Sequence, residues 1–159
     1  MKFNKQIVID SIKKLADKKV LIIGDLALDE MIYGDAERIS REAPVLILQH
    51  TKTKHILGGA SNAAHNVSTL NNGKVGVIGV AGDDYHSGFL FDTFKAAKIN
   101  CDGIITDKTR KTIVKTRISG AITTSITQQI VRIHQKYSVN LVKVQIASAV
   151  KICCNKVVS

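Results

Sequence analysis

The stretch that decides the fold is LGGASNAAHN, which runs from Leu57 to Asn66. Gly58 and Gly59 stand before a run with helical spacing, and glycine, lacking a Cβ, lets the backbone turn tightly and approach a ligand. The amides that open such a helix have no partners within it and can point at ligand oxygens. Asn62 shares one helix face with the asparagine four residues later, and both side chains donate and accept hydrogen bonds. The stretch predicts either a site for a polyhydroxylated ligand or only close packing of a helix on a sheet.

Apolar runs on either side of this stretch predict a parallel sheet flanked by helices. Residues 20–23 and 75–80 are short apolar runs of the kind that form strands buried on both faces. Helical spacing is present over 5–17, and a second helix is expected from its capping Asp84 to about residue 98. These elements indicate an α/β fold.

Two aspartates follow the first predicted strand. Ligands bind at the carboxyl ends of parallel strands, which places Asp25 and Asp29 near a site. Asp25 is more typical of a turn or a helix cap. Asp29 stands among apolar residues, where a carboxylate needs a partner, and it is therefore the stronger candidate.

Residues 31–57 change character, because short β-like pieces follow one another without a helix between them. Such pieces predict an antiparallel sheet set apart from the main one. Later segments also alternate like strands, a helix is expected near the end of the chain, and a further strand begins in its last residues. The predicted strands are 31–33, 45–49, 54–57, 111–118, 128–134 and the start at 155–159, with the late helix at 137–151. The predicted class is thus α/β, with a Rossmann-like parallel sheet and a small antiparallel β lid.

Composition limits the class of protein. The 159 residues are 45% hydrophobic and 23% charged, as in a globular domain, and no apolar run is long enough to span a membrane. The N-terminus lacks an apolar signal region. Cys101, Cys153 and Cys154 fit no metal-ligand spacing, which indicates reduced thiols, no metal site and a cytoplasmic location.

The charge of the chain is unevenly distributed. All thirteen acidic residues lie at or before Asp107, whereas the residues from Lys108 onward hold ten of the 23 basic residues and no acid. The whole net charge of +10 therefore belongs to the last third of the chain. Only one aromatic residue, Tyr137, follows Asp107, which argues against stacking on nucleic-acid bases. A phosphorylated ligand and a loss of acidic partners both remain open as explanations.

Four segments occur in one order: GDLALDEMIYGDAERISREAPV from Gly24, LGGASNAAHNV from Leu57, VGVIGVAGDD from Val75 and TIVKTR from Thr112. Over roughly residues 18–135 they resemble the ribokinase-like (PfkB) carbohydrate kinases. Within that family the similarity is greatest to bacterial D-glycero-beta-D-manno-heptose-7-phosphate kinases, which serve lipopolysaccharide core biosynthesis. The YG…RIS.EAPV pattern is far more specific than a glycine pair.

The resemblance implies particular roles for particular residues. Asp29 matches an aspartate that binds sugar hydroxyls, Gly58 and Gly59 match a glycine pair at the sugar, and Asn62 matches the asparagine of the same motif. Four further residues occupy motif positions near the substrate, namely Arg38, Asn66, Lys115 and Arg117. The lid, about 31–57 and 111–134, is implied to cover the sugar and to form a homodimer contact.

The sequence also departs from the family pattern. Asn71 and Asn72 replace the usual glycine turn, which asparagine can form because it tolerates the left-handed conformation. His134 replaces a usual aspartate, GAITTSIT lengthens the lid, and the sequence stops where the family continues into an S-D-Y-x-K-G strand end. The ATP and Mg²⁺ sites and the catalytic base of the intact family are expected beyond Ser159, so residues 1–159 are predicted to be the N-terminal sugar-binding part and inactive alone. Two alternatives stay open: a partner- or polyanion-binding module derived from a kinase lid, and a fragment that barely folds. His50, His55 and His86 are expected to be solvated.

Overall fold

Two separate sheets organise the chain. The structure, a computed structural model, describes residues 4–123 and 126–135. Its elements in chain order are α1 (Lys5–Leu15), β1 (Val20–Ile23), β2 (Leu26–Ile39), β3 (Leu46–Gly59), α2 (Ala60–Asn71), β4 (Val75–Gly82), α3 (Tyr85–Ala96), β5 (Asn100–Asp107), β6 (Ile113–Thr123) and β7 (Ile126–His134). The expected helix at 137–151 and strand start at 155–159 lie outside the described residues.

The first sheet, called here the body sheet, has the strand order β1-β4-β5 and is parallel throughout. Every residue of β4 is buried, as expected for a central parallel strand covered on both faces. Leu90 and Phe94 of α3 are fully buried in the core that this sheet supports. The predicted strands at 20–23 and 75–80 are confirmed, whereas β5, with polar residues at both ends, was not predicted.

The second sheet has the strand order β3-β2-β6-β7. The pairs β2/β3 and β6/β7 are antiparallel, as expected, but β2 and β6 run parallel, so the sheet is mixed. This parallel pair is possible because the chain passes through the body sheet between β2 and β6, which supplies the long crossover that parallel strands need. The α/β class with two distinct sheets is therefore confirmed, with a mixed second sheet.

The strands of the second sheet are longer than the sequence indicated. The predicted pieces at 31–33, 45–49 and 54–57 are parts of two 14-residue strands, β2 and β3. Register shifts at Tyr33/Gly34 and at Ala36/Arg38 interrupt the side-chain alternation. A shift of one residue exchanges the two faces of a strand. The alternation of apolar and polar residues is therefore interrupted at these points, although the strand itself continues.

Helix α2 buries polar side chains beside its apolar ones. Ala64 is buried and Ala60 and Val67 pack against the core, whereas Leu70, at the end of the same helical spacing, is 58% exposed. Ser61, Ser68 and Asn71 are buried as well. The Asn71 side-chain amide donates to the carbonyl oxygens of Lys18 and Lys74, both at 2.9 Å. These two hydrogen bonds offset the cost of burying the Asn71 amide nitrogen.

Local signals at the helix ends were read correctly. Asn72 closes α2 in the left-handed conformation, with φ of 55°, which asparagine tolerates. Asp84 caps α3 as predicted: its carboxylate accepts from the amide of Ser87, and the Ser87 side chain bonds back to the cap.

Candidate functional site

The carboxylate of Asp29 is the centre of the candidate site. Asp29 lies on β2 and is half-buried, and its Oδ2 is 3.2 Å from Nη1 of Arg117 on β6. Its Oδ1 is buried and has no hydrogen-bond partner. A buried charged oxygen without a partner is costly, and such an unsatisfied group marks Asp29 as a candidate functional residue.

Gly58 makes room for that carboxylate. A Cβ placed on Gly58 would lie 3.1 Å from both Cγ and Oδ1 of Asp29. Contacts at this distance are tighter than ordinary van der Waals packing, and the atoms met belong to a side chain already held by Arg117. The first glycine of the pair is therefore explained by its contact with the Asp29 side chain.

Gly59 has a different task at the start of α2. Its φ is +57°, and a Cβ there would lie 2.8 Å from the carbonyl oxygen of Asp25. The same oxygen accepts the amide of Ala60 at 3.0 Å. The expected cap by Asp25 is thus made by its backbone carbonyl, and no side chain described here caps α2. This bond fixes α2 to the end of the first strand and also occupies one of the amides expected to face a ligand.

Asn62 and Asn66 lie on the exposed side of α2, as their spacing predicted. They occupy the first two turns of the helix that begins at the glycine pair. Both amides are therefore accessible to a ligand near that end of α2.

Lys115 and Arg117 are brought to Asp29 by strand register. Asp29 is the direct partner of Lys115 on β6, and Met31 is the partner of Arg117. Residues two apart on a strand share a face, so both cations lie on the face of Asp29. Arg117 in turn pairs with Arg132 on β7, which adds a third cation. We call this the Asp29 face, defined by Asp29, Lys115, Arg117 and Arg132.

Arg38 is the one predicted site residue that strand geometry separates from Asp29. It lies nine residues further along β2, is exposed, and pairs with Ile47 near the end of the strand. Nine residues of β-strand span about 30 Å. The structure therefore does not bring Arg38 to the Asp29 carboxylate.

The opposite face of the same strands carries a polar cluster that sequence reasoning missed. The Glu30 carboxylate lies 3.3 Å from Nε2 of His55 and 3.6 Å from Nε2 of His86, and it accepts from Thr116 at 2.9 Å. The expected solvation of His55 and His86 is wrong, because their side chains are only 15% and 28% exposed. His50 is exposed as expected. Only the strand register brings Glu30 opposite His55 and Thr116, so no local signal could have found the cluster.

A second polar junction joins the body sheet to β6. Thr112 is fully buried, its hydroxyl accepts the amide of Gly82, and its own amide donates to Asp84. Burial raises the pKa of Asp84, but the hydrogen bonds from Thr112 and Ser87 outweigh it and leave the pKa below its ordinary value. These hydrogen bonds fix the position of the chain just before β6, the strand that carries Lys115 and Arg117.

The described residues contain neither a membrane-spanning helix nor a cluster of metal ligands. Across residues 4–123 and 126–135, no helix is long and apolar enough to cross a membrane. The same part of the chain contains no group of three or more His, Cys, Asp or Glu residues placed to hold a metal ion.

Solved structures show which class of protein has this fold. The chain is similar to a carbohydrate kinase from Agrobacterium tumefaciens, with a TM-score of 0.60 and 23% identity, over 74% of this chain and 35% of that one. It is also similar to a nucleoside kinase from Methanocaldococcus jannaschii, described as an archaeal member of the ribokinase family, with a TM-score of 0.53 and 16% identity over 75% and 37% of the two chains. The fold is that of the ribokinase-like kinases.

The sequence defines the family. The family model for pfkB family carbohydrate kinases matches residues 17–152, and the chain belongs to that family. It is 44% identical over 119 residues to the bifunctional protein HldE of Helicobacter pylori strain HPAG1, covering 75% of this chain and 24% of that one. It is 34% identical over 139 residues to HldE of Desulfatibacillum aliphaticivorans, covering 87% and 27%. The chain spans about a quarter of the length of these curated relatives.

Proposed function

We propose that this chain is the sugar-binding part of an ATP-dependent carbohydrate kinase and that its sugar is a heptose 7-phosphate. The observation that carries the proposal is the buried, unpartnered Oδ1 of Asp29, held between Gly58 and Arg117. Sugar hydroxyls are donors, and an ionised carboxylate accepts from them strongly. The similarity to HldE proteins supports this choice of sugar.

Each site residue has a defined task in this proposal. The Asp29 carboxylate accepts one or two hydrogen bonds from sugar hydroxyls, while the ion pair with Arg117 holds it in orientation. Gly58 leaves room for the Asp29 carboxylate, Gly59 lets the chain turn into α2, and Asn62 and Asn66 bind further hydroxyls.

The cations of the Asp29 face support an anionic substrate. Lys115, Arg117 and Arg132 are contributed by two adjacent strands, and Asp29 is the acid placed among them. A sugar bearing a phosphate complements this charge better than a neutral sugar does. Arg38 lies at the far end of β2, away from the Asp29 carboxylate. We therefore propose that any contact it makes with a ligand is at the outer end of the second sheet.

ATP and Mg²⁺ are the cofactors proposed for the intact kinase. Such phosphoryl transfer needs a base at the sugar hydroxyl and stabilisation of charge on the γ-phosphoryl group. We assign none of the described residues to the base, to ATP or to Mg²⁺; the chain supplies positioning, which is a large part of such catalysis. On this proposal residues 1–159 form one sugar-binding unit, cytoplasmic and unable to transfer phosphate alone, with a place in lipopolysaccharide core biosynthesis.

Calorimetric titration with heptose 7-phosphate, fructose 6-phosphate and ribose tests the proposal. Binding of heptose 7-phosphate ahead of the other two is expected. No binding of any of them by a chain that melts cooperatively would refute the sugar site. A coupled assay with ATP and Mg²⁺ is expected to show no turnover, and turnover at kinase-like rates would refute the proposed inactivity.

A homodimer through the second sheet is the proposed assembly. Its strands expose large apolar side chains that a single chain leaves in water, namely Ile39, Val45, Leu46, Ile130, Val131 and Ile133, each between 40% and 67% exposed. Several large apolar side chains exposed on one sheet are typical of an interface. Sedimentation should give a dimer mass, which Val131→Asp should convert to a monomer mass; a monomeric wild-type chain would refute the assembly.

The same cations favour one alternative function, a polyanion-binding module. Lys115, Arg117 and Arg132 also complement a polymer of negative charges. Binding to heparin that weakens steeply with salt, in a chain that binds none of the three sugars, would favour the module over the kinase part.

A further inference from the structure

We infer that Glu30 is a positioning residue for the Asp29 face, an inference that rests on the proposed function. Successive side chains of a strand point to opposite faces, so Asp29 and Glu30 stand back to back on β2. Asp29 faces the candidate sugar site, and Glu30 faces α3.

The Glu30 carboxylate joins four elements of the structure. It belongs to β2, it accepts from Thr116 of β6 at 2.9 Å, and its other oxygen lies beside Nε2 of His55 on β3 and of His86 on α3. The carboxylate is 17% exposed, so these contacts are weakly screened by water. We call Glu30, Thr116, His55 and His86 the Glu30 cluster.

Aromatic packing fixes the imidazole rings of the cluster. The His55 ring stacks on Phe89 of α3, with ring centres 4.0 Å apart and planes at 17°. Tyr85 meets both Phe89 and His86 edge-on. His86 also acts on Asp84, whose pKa its imidazole helps to lower. The rings therefore hold the Glu30 carboxylate in a defined place relative to α3.

The strand residues of the cluster lie next to residues of the candidate site or within three positions of one. Thr116 lies between Lys115 and Arg117, Glu30 follows Asp29, and His55 precedes Gly58 by three positions. Loosening the cluster would let these three strands shift relative to one another and to α3. The Asp29–Arg117 ion pair depends on that register, because it joins residues on two strands.

Calorimetry at 15 °C and pH 8 with heptose 7-phosphate tests this role. Glu30→Ala should weaken binding about tenfold, since a hydrogen bond to a charged group contributes roughly that factor. Glu30→Gln should restore binding to within about threefold, because its amide oxygen accepts from Thr116 and its amide nitrogen donates to a neutral imidazole. Thr116→Val should lie between the two.

Asn71→Ala is the matched control for stability. Its side chain is buried and hydrogen-bonded in the body, away from the second sheet, so its loss should lower the melting temperature without changing the affinity of the folded chain. Wild-type affinity in Glu30→Ala, no rescue in Glu30→Gln, or an equal loss in Asn71→Ala would each overturn the inference. Absence of binding by the wild-type chain would refute the proposed function and this inference with it.

Discussion

The two sheets of this protein use their residues in different ways. In the body sheet β4 is buried at all eight positions, whereas in the second sheet β3 buries only Leu57 and Gly58 of its fourteen residues. This central strand of the body sheet is apolar on both faces and contributes to the core. The second sheet contributes only the near ends of β2 and β3 to that core, through Leu26, Leu28 and Leu57, and it carries two polar surfaces, one around Asp29 and one around Glu30. We therefore expect stability to depend mainly on the body and ligand specificity mainly on the second sheet.

Truncation of a core side chain should give the largest effect on the free energy of unfolding, and it tests the difference between the two sheets directly. Leu90→Ala removes a fully buried side chain of α3 and should lower the free energy of unfolding by about 3 kcal/mol. Val131→Ala, at a position of the second sheet that is 44% exposed, should cost less than about 1 kcal/mol. Denaturant unfolding of both variants measures the difference. Equal losses would contradict the division of roles.

Gly58→Ala should affect binding more than folding. The added Cβ would press on the Asp29 carboxylate, and we expect sugar affinity to fall about tenfold, within the usual cost of overpacking. Gly88→Ala is the control, because a Cβ there meets no atom within 4 Å and alanine favours the α3 helix. Calorimetry should show a loss of sugar affinity only in Gly58→Ala. Unchanged affinity in Gly58→Ala would contradict the claim that the space beside the Asp29 carboxylate matters for binding.

Acid should weaken the junction between the two sheets. The pKa of Asp84 is lowered in the fold by the hydrogen bonds from Thr112 and Ser87, in spite of burial. The ionised Asp84 carboxylate therefore contributes its full share to the free energy of unfolding above its ordinary pKa of 3.8. That contribution is lost as the pH falls through the lower pKa of the folded state. Asp84→Asn should flatten the dependence of unfolding free energy on pH below about 4, where free aspartate titrates. Asp83→Asn, at the exposed neighbouring position, should leave this slope as in the wild type, and equal slopes in all three chains would contradict the assignment.

The smallest expected effect is a slow reaction rate of the Cys101 thiol, which lies on β5 of the body sheet. Burial and, to a lesser extent, the nearby Asp102 carboxylate raise the pKa of Cys101 to about 11. The thiolate is the reactive form, so Cys101 should react slowly with a maleimide at pH 7. In a Cys153→Ser/Cys154→Ser background the rate should rise sharply once denaturant unfolds the chain. A fast rate in the folded chain would show that β5 is less protected than β4.

Local sequence signals predicted the body well. Runs such as 75–80 need only burial on both faces, and the caps at Asn72 and Asp84 depend on neighbouring residues alone. Asp29 could be singled out because a carboxylate among apolar residues needs a partner. Its task, like those of the two glycines, came from the resemblance to a known family.

What could not be predicted depends on pairing between distant strands. The Asp29–Arg117 ion pair and the Glu30 cluster arise from the register of β2 against β6 and β3, which no local pattern specifies. The burial of Asn71 on α2 was missed because its amide nitrogen donates to carbonyl oxygens outside the helix, those of Lys18 and Lys74. Apolar periodicity cannot detect such partners.

Titration of heptose 7-phosphate into wild-type, Asp29→Asn and Asp35→Asn chains tests the central claim most directly. Asp29→Asn removes the charge that hydroxyls would meet and should weaken binding about a hundredfold, as expected for two charge-assisted hydrogen bonds. Asp35, exposed on the same strand, should be replaceable without effect. Binding by Asp29→Asn as tight as by the wild-type chain would contradict the account.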